Sequence, residues 1–390
     1  MTLKEGKHKK HTALIRPDLG QFGRNEWAIV GAPCDDIKAL AAQVITALSA
    51  NAKIAYVDAR HRDEPAHASA PLTAGADLEY ITKPGGQQLN YSGEFNNFQN
   101  RILFNNADLI LINGNHHPGK KQVVIIDSRK KASLQKRVGQ LTNIGLILFA
   151  EGETEIFDFI KGAIPNWQAI PVENLKETEK IAKFFQNELK NAKPELYGLV
   201  LAGGKSERMG KDKGSINWHG KDQRYYIADL LKSYTDSVYI SCRADQQQEV
   251  DPLYQTLPDT FTGMGPFGAI LSAFREQPEK AWLVVACDLP LLDKDTLDYL
   301  VNQRDTSAIA TAFKNSYDGF PEPLITIWEP KSYPVLLSFL AQGYSCPRKV
   351  LINSPINILQ APNPEALTNV NTPEEKDRVQ SILQKRSITA

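Results

Sequence analysis

The sequence predicts an α/β protein of two domains, each a three-layer α/β/α sandwich. Three observations carry this. Short β-rich apolar runs alternate with helix-length amphipathic stretches, the pattern of α/β units around a parallel sheet. A short polar linker containing a proline, residues 191–195, separates two such series. The chain has 390 residues, room for two or three domains at about 150 residues each.

In the first series the strand candidates are 27–30, 54–58, 109–113, 123–127 and 146–149. Between them lies a helical pattern at 38–49, with apolar Leu40, Ala41, Val44, Ile45 and Leu48 on one face. Residues 177–189 form a closing amphipathic helix. The second series restarts with a buried strand at 197–201 running into glycines, followed by strands at 238–242, 281–287, 307–312 and 324–328. The expected layout is a basic tail over 1–23 and domains over 24–192 and 196–385.

Forty-five Lys and Arg balance 45 Asp and Glu, which disfavours a dedicated binder of nucleic acid or of an anionic membrane. No apolar run nears the roughly 18 residues that span a bilayer. The amino terminus is basic, without the apolar core of a secretory signal. The four cysteines, Cys34, Cys242, Cys287 and Cys346, are far apart, so a disulfide framework is not expected and a cytoplasmic location is.

Two features point to chemistry. Gly203 and Gly204 follow a strand directly, so backbone N–H groups can face an anion there, with Arg208, Lys211 and Lys213 beside them. The spacing is neither a P-loop nor a dinucleotide fingerprint, and a plain turn with exposed basic residues reads as well. Asp288 ends the very apolar run 282–287, where a carboxylate is placed to hold Mg²⁺; an Asp there can equally start a turn before Leu289-Pro290. Asp259 precedes the glycines 263, 265 and 268, a loop able to pack a planar base; capping is the alternative role.

The string Leu201-Ala-Gly-Gly-Lys-Ser-Glu-Arg-Met-Gly-Lys-Asp-Lys213 resembles the signature of the nucleotidyltransferase superfamily, especially the molybdenum cofactor guanylyltransferases (MobA). The resemblance continues through Pro258-Asp259, Gly263-Met-Gly-Pro-Phe-Gly-Ala269, Ala286-Cys-Asp-Leu-Pro290, the segment 323–343 and Asn369-Val-Asn-Thr-Pro-Glu-Glu375. It implies a Rossmann-like nucleotidyltransferase domain that moves GMP from GTP to the phosphate of molybdopterin, with Mg²⁺. On that resemblance Leu201, Ala202, Gly203, Gly204 and Lys213 bind the nucleotide, and Arg208 and Lys213 neutralise its phosphates. Asp288 holds Mg²⁺ and the triphosphate, while Asp259 and Gly265 contact the nucleotide. Related cytidylyltransferases carry L-A-A-G, so Gly203 favours GTP. Cys242 departs from the family, which usually has a nucleotide-binding Asn there. The acceptor pterin is expected near 321–323, 348–349 and 369–372, with Asn371 the single candidate, although Asn371-Thr372-Pro373 also reads as a helix start. Transfer of CMP or another nucleotide, or a non-catalytic adaptor carrying cofactor, are the other readings.

Residues 24–190 resemble the molybdopterin-guanine dinucleotide adaptor family (MobB), a P-loop GTP-binding fold, through 54–63, Ala74-Gly-Ala-Asp77, 107–113 and 170–189. Where its P-loop would stand the chain reads Gly31-Ala-Pro-Cys-Asp-Asp-Ile-Lys38. Two carboxylates there repel a triphosphate and Pro33 lacks an N–H. A degenerate P-loop domain is therefore expected, serving to dock molybdopterin-handling proteins or client molybdoenzymes and not to hydrolyse GTP. His116 and His117, between Gly and Pro, are expected as solvated loop residues.

Overall fold

The computed structural model describes residues 19–59, 69–202 and 213–389, with Lys213 and 386–389 described by backbone alone. These residues fall into two compact units, the first ending at Ala192 and the second starting at Lys193.

The first unit contains β1 (Glu26–Val30), β2 (Ile54–Val57), β3 (Leu78–Lys83), β4 (Gly86–Tyr91), β5 (Leu109–Asn113), β6 (Lys121–Ile126), β7 (Ile144–Phe149) and β8 (Val172–Asn174). Six of them form a parallel sheet in the order β2-β5-β1-β6-β7-β8. Alternate strand residues feed two layers. Trp27, Ile29 and Leu111 pack with the helices Cys34–Leu48 and Thr178–Asn191 on one face, whereas Val30, Val124 and Ile147 pack with Phe157 and Ile160 on the other. Continuous apolar runs suit strands covered on both sides. Between β1 and the helix Cys34–Leu48 lie only Gly31, Ala32 and Pro33. Gly31 has φ +98°, and a Cβ there would sit 2.2 Å from the Ile125 carbonyl oxygen, so only glycine makes this turn.

Two expectations need correction. The hairpin β3–β4, turning at Gly85 (φ +82°), had no counterpart in the sequence reading, because neither strand keeps a regular polar–apolar alternation and nearly all of their residues remain exposed. His116 and His117 are half-buried, not solvated. The turn after β5 folds back over the sheet, Gly114 donating to the Ile29 carbonyl at 2.8 Å. His117 then meets Phe22 edge-on at 5.8 Å.

The second unit contains β9 (Leu196–Leu201), β10 (Ser237–Cys242), β11 (Gln255–Pro258), β12 (Ala281–Ala286), β13 (Ala310–Lys314), β14 (Pro321–Trp328) and β15 (Asn357–Leu359). Their order is β11-β10-β9-β12-β14-β13-β15. The first four are parallel, but β14 runs antiparallel to β12 and β13. Val200, Leu283 and Val285 pack with the helices Gln223–Leu231 and Lys294–Asn302. Leu199, Trp282 and Val284 face the helices Pro266–Glu276 and Ser332–Ala341. Each fully buried side chain of this kind contributes roughly 1.5–3 kcal/mol. The strand expected at 307–312 begins three residues later, since Asp305 accepts the Ser307 N–H at 2.8 Å and holds a turn there.

Candidate active site

Strand register gathers the sequence-predicted positions at one edge. Leu201 pairs with Ser241 on one side and Ala286 on the other, while Cys242 pairs with Pro258. All four parallel strands therefore end together, and Ala202, Cys242, Asp259 and Asp288 emerge at their carboxyl ends, where open α/β sheets bind ligands. The Cys287 N–H continues the ladder to the Leu201 carbonyl at 3.3 Å. Leu201 and Ala202 are half-buried. Gly203, Gly204, Arg208 and the side chain of Lys213 lie outside the described residues.

Asp259 is held from two sides. Its N–H donates to the Cys242 carbonyl at 2.9 Å, and Ser241 Oγ donates to its Oδ1 at 2.7 Å. Burial pushes the Asp259 carboxyl above its ordinary range, and the Ser241 hydrogen bond opposes this in part. Burial, with the nearby Asp259 charge, pushes the Cys242 thiol up to about 11, against the opposing field of Arg224. Cys242 is thus a neutral thiol at physiological pH, and it is 3% exposed.

The loop after Asp259 is fixed by Ser272, whose hydroxyl accepts the N–H groups of Thr260 (2.9 Å) and Phe261 (3.3 Å) and donates to the Gly268 carbonyl at 2.7 Å. A Cβ at Gly268 would stand 2.1 Å from the Phe261 carbonyl oxygen. Gly265 takes φ +54° as the N-cap of the helix Pro266–Glu276, a conformation natural to glycine. This loop and helix start lie beside Asp259.

Asp288 is half-buried just beyond β12. Its backbone carbonyl accepts the Val370 N–H at 2.9 Å, which brings the segment 369–372 to the same edge. Val370 is anchored with Leu291 and Val379 in a small apolar cluster. Asn371 is exposed; its N–H and that of Thr372 donate to Glu375 Oε2 at 2.6 and 3.0 Å, and Thr372 Oγ1 accepts the Glu375 N–H at 3.3 Å. The helix-start reading of this segment therefore holds. Continuing the β12–β14 register also carries Pro323 alongside Cys287. Arg348, however, is engaged with Asp318 at 2.9 Å and with the buried Glu322 at 3.3 Å.

The donor set fits a cation such as Mg²⁺ held by one carboxylate together with substrate phosphates and water. Asp288 is a half-buried residue at a strand end, and among the described residues no group of three or more His, Cys, Asp or Glu could cage a metal. Sequence reasoning missed Ser241 and Gln223. Gln223 is fully buried and its Nε2 donates to the Leu289 carbonyl at 3.4 Å, bracing the turn after Asp288. Neither carries a local signal, because each acts on a partner remote in sequence.

Residues 198–355 match the family described as MobA-like NTP transferase domain. A "Molybdenum cofactor biosynthesis bifunctional protein" from Synechocystis sp. is 37% identical over 186 residues, 47% of this chain and 53% of that protein. The chain thus spans about half of the length of that relative. A "Probable molybdenum cofactor guanylyltransferase" from Nostoc sp. is 33% identical over 185 residues, 46% of this chain and 88% of that protein. The crystal structure of molybdopterin-guanine dinucleotide biosynthesis protein A from Archaeoglobus fulgidus aligns with 48% of this chain and 99% of its own, at 22% identity and a TM-score of 0.42. Through its second unit the chain belongs to the molybdenum cofactor guanylyltransferases, the family with a MobA-like NTP transferase domain.

Proposed function

We propose that the chain transfers GMP from GTP to the phosphate of molybdopterin. The observation that carries this reading is the convergence of Ala202, Asp259 and Asp288 on one strand edge in a member of this family. An oxygen of the acceptor phosphate forms a bond to the α-phosphorus as the α–β bridging P–O bond breaks and pyrophosphate leaves. The acceptor is already ionised near neutral pH, its second pKa being about 6, so no side chain has to remove a proton.

The protein's part is positioning and charge compensation. Leu201, Ala202, Gly203 and Gly204 cradle the nucleotide, Arg208 and Lys213 face its phosphates, and Asp259 with the Gly265 loop contacts the nucleoside. Mg²⁺, when held by Asp288, supplies neutralising charge for the α-phosphate and the leaving group. Asn371 faces the acceptor pterin. Gly203 favours guanine, and Cys242, where the family usually has Asn, favours the second reading, transfer of CMP or another nucleotide. Incubation with each of the four NTPs, Mg²⁺ and molybdopterin, read as pyrophosphate release, is expected to show GTP preferred by at least about tenfold, the value of one good polar contact. Equal rates with CTP would select the second reading, and no release with any NTP would sink both.

Asp259→Asn separates binding from folding. A raised carboxyl pKa means that the fold penalises ionisation, so the associated stability is present at low pH and lost as pH rises through the folded pKa. The variant should melt higher than the parent near pH 8, by roughly 2 °C, converge with it in acid, and bind GTP more weakly. Differential scanning fluorimetry from pH 4 to 8, with and without GTP, checks both signs.

For the first unit we propose a degenerate P-loop domain of the MobB type that docks cofactor-handling proteins or client molybdoenzymes. The three-residue turn Gly31-Ala32-Pro33 is too short for a phosphate cradle of the G-x-x-x-x-G-K-[ST] kind, and Asp36 is tied to Arg129 at 2.6 Å. No helix among the described residues is long and apolar enough to cross a membrane; the four cysteines lie far apart in the sequence, and a cytoplasmic site of action is proposed.

A further inference from the structure

We propose that Cys34, His116 and Asp58 form a reactive-thiol site at the carboxyl edge of the first sheet, where Cys34 is covalently modified by small disulfides. The site stands whether or not the second unit transfers GMP. Three elements bring it together: the start of the helix Cys34–Leu48, the end of β2, and the turn after β5.

Cys34 Sγ lies 3.4 Å from His116 Nε2, within reach for proton transfer from thiol to imidazole. Asp58 Oδ1 lies 3.7 Å from the same nitrogen. With the neutral imidazole protonated on Nδ1, Nε2 takes the thiol proton, and the imidazolium N–H so formed sits beside the Asp58 carboxylate. That carboxylate is itself fixed by Tyr56 Oη (2.6 Å) and by Nδ2 of the buried Asn113 (2.9 Å), both donating to it. Asn115 Nδ2 donates to the Ala32 carbonyl at 2.9 Å and approaches Sγ at 3.6 Å, so the thiol is held in place.

The backbone adds to this field. Cys34 is the first residue of a 15-residue helix whose N-cap, Pro33, offers no capping side chain. The positive end of the helix dipole therefore lies at the residue that carries the sulfur. Asp35 and Asp36 stand in the same first turn; Asp36 is paired with Arg129, which also binds Asp127 at 2.6 Å. From the turn side Arg137 Nη2 donates to the Asn115 carbonyl at 3.0 Å. Cys34 is partly exposed, Cys242 and Cys287 are buried, and Cys346 is exposed, which supplies internal controls in one chain. His116 and, through it, Asp58 converge on the single cysteine of this unit.

In the reaction the Cys34 thiolate attacks one sulfur of the disulfide. A Cys34–sulfur bond forms as the original S–S bond breaks, and the second half departs as a thiolate that takes up the proton His116 removed. The test exposes the full chain to oxidised glutathione from pH 5.5 to 9 and follows each cysteine by peptide mass spectrometry. At pH 6.5 Cys34 should gain glutathione at least tenfold faster than Cys346, despite its lower exposure. His116→Ala should reduce the Cys34 rate to within threefold of Cys346 and leave Cys346 unchanged. Asp58→Asn should fall between, with circular dichroism confirming the fold. In the unsubstituted protein, a Cys34 rate that equals that of Cys346 and follows the same pH profile overturns the proposal, whatever the variants do.

Discussion

Replacing Asp288 by Asn should lower Mg²⁺-dependent GMP transfer about 10³-fold, the scale seen when one preorganised charge-stabilising group is removed from an active site. The substitution separates the two roles the sequence leaves open. Asn opens a turn as well as Asp does, and the Val370 N–H is received by the backbone carbonyl of residue 288, which is unchanged. A turn-forming role therefore predicts neither a loss of activity nor a change in melting. A cation-holding role predicts lost turnover, melting within about 1 °C of the parent, and partial recovery as Mg²⁺ is raised into the tens of millimolar. Lys213→Ala should lose about as much, because its positive charge would face the same phosphates, but without recovery at high Mg²⁺. Steady-state rates of pyrophosphate release across a Mg²⁺ series decide the matter. Activity within a few-fold of the parent in both variants would remove the assignment of the triphosphate to this edge.

What could be read in advance divides by range. β5 occupies the very residues 109–113 that its apolar run marked, since a strand buried on both faces needs no partner to declare it. Asp288 could be placed at a strand end for the same reason, whereas Asp259 could not, because β11 ahead of it left no signal. The direction of β14 could not, because nothing in Pro321–Trp328 distinguishes a parallel from an antiparallel neighbour. β8, β11 and β15 are three or four residues long, too short for a period to register. At the candidate site the invisible contacts are those between remote residues: Ser241 with Asp259, Gln223 with Leu289, Val370 with Asp288. His116 illustrates the cost of local reasoning. Its Gly and Pro surroundings do make a loop, but loop chemistry depends on where the loop returns, and this one returns to Cys34 and Asp58.

The opposite edge of the second sheet should be decisive for stability and indifferent to chemistry. Arg304 and Glu329 meet there in two contacts, Nε to Oε1 at 2.6 Å and Nη2 to Oε2 at 2.9 Å, with side chains 4% and 1% exposed. Arg304 Nη2 also donates to the Pro194 carbonyl at 2.9 Å, just ahead of β9, and the Glu329 N–H donates to the Ile309 carbonyl at 3.0 Å, just ahead of β13. The pair thus ties the entry to β9, the end of β14 and the start of β13. Arg304→Met strands a buried carboxylate and should destabilise the second unit by about 3–5 kcal/mol. Arg304→Met combined with Glu329→Leu removes both charges and should recover most of that loss, since a packed apolar pair replaces a buried ion pair at little net cost. Urea unfolding followed by the near-ultraviolet signal of the buried Trp282 and Trp328 measures both. Because Trp282 pairs with Trp328 at the start of β12, Glu329 lies a full strand length from Asp288. The double variant should therefore keep its GMP-transfer rate within about twofold below its melting range, and a hundredfold loss there would mean that the two edges are coupled and that catalysis draws on more of the sheet than its carboxyl ends.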